Sequence, residues 1–193
     1  MRVSIIDIMN RFRIEETPRD CAISHCDKHV NKMIIEEAQM LSTVHRLLDG
    51  TLEMRPSKSG KRMVKYWRLP DDREDTLYRP VHMGHPCTVW ATETRANYQW
   101  AYALFYSLCK EFTYRYGKVH MTEQKLLVPL SKIPEHIDPS AEVTPMPLAM
   151  GSNPECMDPD DVIGSYRKYY ITKKERFKMA WTKRRTPRWF NGN

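Results

Sequence analysis

The chain is 193 residues long, 41% hydrophobic and 10% aromatic, with a formal charge of +7. That length and apolar content suit one folded domain with a real core and exclude a disordered polyelectrolyte. No apolar run approaches the roughly 18 residues of a membrane span, and the five cysteines include no C-x-x-C pair, so a membrane role is excluded and a reducing, cytoplasmic setting is expected.

The opening MRVSIIDIMN is too short, and interrupted too early by Asp7, to be a signal peptide; it reads as an edge strand or an ordered arm. Thr17, Pro18 and Asp20 then supply a cap, a first-turn proline and a first-turn acid for a helix that Asp49-Gly50 ends. Residues 51–79 read as an excursion, a basic hairpin turning at Ser59-Gly60 and followed by the acidic loop PDDRED. A second long helix is predicted from Pro86 to Gly117 and a short helical turn over 122–127. Residues 128–159 hold seven of the thirteen prolines and read as a long surface loop. A last helix runs from Asp158-Pro159 to about Trp181, and RRTPRWF closes the chain. The expectation is a mainly α fold, a single domain over 1–193 with about three long helices. To these add the hairpin insertion at 51–79, the Pro-rich loop at 128–159 and a basic helix and tail over 160–193.

The first helix carries the chemistry. At 100° per residue His25, His29, Lys32, Glu36, Gln39 and Thr43 fall on one narrow stripe, beside an apolar stripe of Cys26, Val30, Met33, Ile34, Met40, Leu41, Val44 and Leu48. A carboxylate at Glu36 beside an ammonium at Lys32 could relay a proton or support a cationic intermediate, or simply form an ion pair on a solvated face. His25 and His29, or His82 and His85, could chelate, but H-E-x-x-H is absent and Lys32 would oppose a dication, so no metal is expected. Gly-rich phosphate loops and Ser-His-Asp signatures are also absent, and no cofactor is expected.

Cations dominate two further stretches. YRYGKVH places Arg115, Lys118 and His120 at a helix end, either as an anion clamp or as compensation of the helix dipole. From Ser165 onward there are ten basic residues against Glu175 alone. Lys174, Arg184, Arg185 and Arg188 are candidates for neutralising phosphates, with Trp189 and Phe190 free to stack on bases or to anchor the chain end.

CDKHVNKMIIEEAQML resembles the first-helix motif of the phage pyrimidine-dimer DNA glycosylases of the endonuclease V type, with Asp27, Lys28, His29 and, seven residues later, Glu36 on its spacing. RRTPRWF is similar to that family's closing motif, and HCDKHV, HPC, YRYGKVH and PRWF together resemble small proteins of tailed phages. The resemblance implies an all-α DNA enzyme, acting on the phage genome in the cytoplasm of an infected bacterium. There the chain's α-amine attacks C1′ of a flipped nucleotide while Glu36 supports the cation. Lys28 and His29 would contact DNA. Here Arg2 follows Met1, where the family exposes a small residue, so the free amine would be that of Met1, with Lys28 or Lys32 as substitutes. The expected centre is therefore Glu36 with Lys32, His29, His25 and Met1, joined by His85, Asn97, Arg115, Lys118 and His120 from the second helix and its flanks. Two alternatives stay open: a base-hypermodifying transferase acting on an activated 5-hydroxymethylpyrimidine, and a DNA- or nucleotide-binding protein without catalysis.

Overall fold

A computed structural model of the chain describes residues 10–57 and 59–191. The N-terminal run read as a strand or arm, with Met1, lies outside the described residues. The fold is mainly α: helices α1 (Pro18–Ser24), α2 (Asp27–Asp49), α3 (Arg73–Thr76), α4 (Pro86–Glu93), α5 (Arg95–Tyr116), α6 (Met121–Ser131) and α7 (Val162–Ile171), with one antiparallel hairpin of β1 (Thr51–Pro56) and β2 (Met63–Arg68).

The capping signals act where the sequence puts them. The Thr17 hydroxyl accepts from Asp20 N at the start of α1, and Gly117 ends α5 in the left-handed region at φ 68°. Gly60 turns the hairpin at φ 71°, a conformation that favours glycine.

Four element boundaries need correction. The first helix is broken at His25–Cys26, where no glycine or proline warns of it. Cys26 N donates to the Tyr170 hydroxyl and Asp27 N to Ala180 O, so tertiary partners replace the helical ones. The second helix is broken at Thr94, whose extended backbone and side-chain bond from Asn97 N make it the cap of α5. Helix α6 runs on to Ser131 through Pro129, which offers no N–H to the carbonyl four residues back and leaves the last turn weaker. The last helix stops at Ile171 and turns into a 3₁₀ segment over Thr172–Glu175, so the basic C-terminal region is mostly not helical.

Helices α2 and α5 form the centre, with α4 and α6 packed on α2 and α1 on α5. Val30, Ile34, Leu41 and Val44 of α2 bury against a core that includes Ala101, Leu104, Phe105 and Leu108 of α5. Each large apolar side chain so covered contributes about 1.5–3 kcal/mol before entropy is counted. Residues 132–153 contain neither helix nor strand and run mostly over the surface, as an ordered strap with its own buried anchors Ile137, Met146 and Met150. Arg95 N and Ala96 N at the start of α5 donate to the strap carbonyls of Asp138 and Ser140, and Trp90 Nε1 donates to Thr144 O.

Candidate functional site

The row of His25, His29, Lys32, Glu36, Gln39 and Thr43 is mostly buried, with only Lys32 and Gln39 half-exposed. Lys28, Asn31 and Ile35 are exposed and Lys32 is half-buried, while Glu36 beneath them retains 8% exposure. Lys32 Nζ is 3.2 Å from Glu36 Oε1, the i,i+4 pair predicted from spacing. Among the described residues the other carboxylate oxygen accepts one long bond, 3.4 Å, from Asn10 N. Burial pushes the Glu36 carboxyl above its ordinary value, and the Lys32 ammonium opposes that rise. A carboxyl in this position exchanges protons closer to neutrality than a solvated one.

The two histidines sit deeper. His25 is fully buried; its Nδ1 bonds to Cys21 O and its Nε2 has no partner among the described residues. His29 stacks on Phe12 at 5.2 Å and meets Tyr170 and Phe177 edge-on, and its Nδ1 is likewise unpartnered. Burial lowers His25 to about 4 and, joined by the nearby cations, His29 to about 2. Both are neutral imidazoles at physiological pH, so neither supplies positive charge to a phosphate. Among the described residues no three His, Cys, Asp or Glu gather where they could hold a metal ion.

The basic tail wraps the N-terminal end of α2. Asp27 is the hub: its carboxylate accepts from Thr182 N and Oγ1 and from Arg115 Nη1. Arg184 forms a two-pronged pair with Glu111, which also holds Arg115. Beside this hub Asp27, Lys28, Asn31, Phe112, Tyr116 and Lys118 line an open cleft of about 340 Å³. Lys28 Nζ lies 4.2 Å over the Phe177 ring, and Lys118, Lys174, Arg185 and Arg188 are exposed. Lys28 and Lys118 therefore flank the N-terminal end of α2 across the cleft from Asp27, at an end where the helix dipole favours anions.

Other predicted residues are engaged elsewhere. Asn97 is fully buried and ties Trp90 O and the Thr144 hydroxyl to α5. Arg115 is 2% exposed and spent on Glu111, Asp27 and Ile23 O. His85 and His120 cap α4 and α6 through their ring nitrogens. Trp189 donates to Glu15 and packs on Tyr170 with Phe190 against Trp181, so the closing aromatics anchor the chain end.

Sequence reasoning missed the Arg11–Glu37 pair, two fully buried groups with contacts of 2.7 to 3.1 Å between guanidinium and carboxylate. Glu37 falls among apolar positions of α2, and a carboxylate in such a row was the available signal; its partner Arg11 was not. No family model, no curated protein and no solved structure matches the chain.

Proposed function

We propose that the protein acts on DNA at a nucleobase or its glycosidic bond, with Glu36 as the working carboxylate and Lys32 as the amine beside it. One observation carries the reading: the nearly covered Glu36 carboxyl, raised by burial, lies 3.2 Å from a lysine at the edge of a cationic face. Imine chemistry needs such a pair. Lys32 passes a proton to Glu36, and its neutral amine bonds to C1′ as the C1′–N bond to the base breaks. The departing base takes the proton from Glu36. Transfer of one remaining N–H proton to the ring oxygen, with opening of the C1′–O bond, leaves a protonated imine and a sugar hydroxyl. Lys28 and Lys118, with the exposed cations of the tail, would hold the phosphodiester backbone.

Borohydride added to the protein with ultraviolet-damaged or 5-hydroxymethylpyrimidine-containing duplex should trap a covalent adduct on Lys32, lost in Glu36→Gln. Absence of any adduct, with nucleoside composition unchanged by mass spectrometry, would remove the catalytic reading. A second reading, a DNA binder without catalysis, is favoured by the purely structural engagement of His25, Asn97 and Arg115. It predicts that Glu36→Gln leaves both DNA affinity and DNA composition as they were.

A further inference from the structure

The hairpin at the far end of α2 has two unlike faces. In its register Glu53 faces Tyr66 and Arg55 faces Val64, and this side turns to the body, where Tyr66 is buried under the guanidinium groups of Arg46 and Arg55. The other side pairs Leu52 with Trp67, Met54 with Lys65 and Pro56 with Met63. Leu52, Met54 and Met63 are more than half exposed, which is unusual for three neighbouring large apolar side chains. Residues 51–68 carry six cations against Glu53 alone. Arg55 and Arg68 pair with Glu53, whereas Lys61, Arg62 and Lys65 make no ion pair among the described residues.

We propose that this outer face and its tip are a second DNA contact, laid into a groove of the duplex. The inference rests on the DNA reading above but on residues remote from Glu36. A two-stranded ribbon fits the major groove, about 12 Å wide. Six residues per strand extend the ribbon about 20 Å. Lys61, Arg62 and Lys65 reach phosphates, and the Leu52, Met54 and Met63 side chains meet thymine methyl groups or base edges. Charge selects this occupant over a second copy of the chain, since a two-fold pairing of this face would set its own free cations against each other.

The test is duplex binding followed by fluorescence anisotropy across a salt series, with thermal melting to confirm that each variant folds. Lys61→Ala/Arg62→Ala/Lys65→Ala should weaken binding roughly tenfold or more at low salt and reduce the slope of log K against log salt by about 1 to 3. Leu52→Thr/Met54→Thr/Met63→Thr keeps strand propensity and should weaken binding several-fold with the slope unchanged. Wild-type binding that both variants reproduce overturns the hairpin contact and leaves the Glu36 reading standing. No wild-type binding at low salt removes the DNA reading itself. Loss of self-association, or of binding to anionic phospholipid vesicles, in the threonine variant without an effect on duplex assigns the face to another partner and overturns the proposal.

Discussion

The ionisable side chains along helix α2 are all held at its C-terminal end and only partly held towards its N-terminal end. At its C-terminal end every group is saturated. Arg46 is fully buried and donates to the carbonyls of Tyr78, Trp67, Glu74 and Leu77 and to the Glu74 carboxylate. Asp49 accepts from Arg73 and from the backbone of Glu135 and His136, and His45 meets the Tyr98 hydroxyl. Towards its N-terminal end Asp27 and Glu37 are held as fully, but three groups in and just before the helix are under-used: among the described residues Glu36 has one lysine and one long bond, and His25 Nε2 and His29 Nδ1 have no partner. A saturated buried charge is explained by the fold it holds; an unsaturated one requires another explanation. Charge content alone would not have separated the two ends.

The largest expected effect lies at the saturated end. Arg46→Met should cost about 3–5 kcal/mol of stability in urea denaturation, because it leaves four carbonyls without their donor and takes one of its cations from the Glu74 carboxylate. A loss below about 1 kcal/mol would erase the contrast between the ends.

Acid sharpens it next. His25 and His45 are lowered by burial to about 4 and His29 to about 2, so below pH 6.5 the unfolded chain gains protons that the fold refuses. Stability is therefore full above pH 6.5 and falls as pH drops, by about 1.4 kcal/mol per unit for each histidine until its folded value is reached. Replacing both His25 and His29 by Phe should flatten the slope of stability between pH 6.5 and 4. An unaltered slope would mean that these imidazoles admit charge in the fold.

The smallest effect belongs to Glu36. Glu36→Gln removes a desolvated carboxylate, so its melting temperature should stay near wild type, a change within about 1 kcal/mol. A cost of several kcal/mol would place Glu36 with Arg46 as a structural group.

Local chemistry was readable in the sequence and long-range exchange was not. The Thr17 cap, the turn at Gly60 and the left-handed stop at Gly117 depend on neighbours within a few residues. So does the Lys32–Glu36 pair, four apart on one face. The break at Cys26 depends on Tyr170, 144 residues away, and the Arg11–Glu37 pair spans 26 residues with no periodicity to announce it. Asn97 looked available to a site because its position on α5 says nothing of the strap residue Thr144, 47 positions on, that it holds.

That strap ties the fate of one element to another. Two amide hydrogens in the first turn of α5 are protected by carbonyls of a segment that has no secondary structure of its own. A nick at Ser140 or Glu142 would thus unfasten the head of the central helix, and exchange with deuterium at Arg95 and Ala96 would quicken together with opening of the strap. The least regular stretch of the chain acts as a latch on one of the most regular.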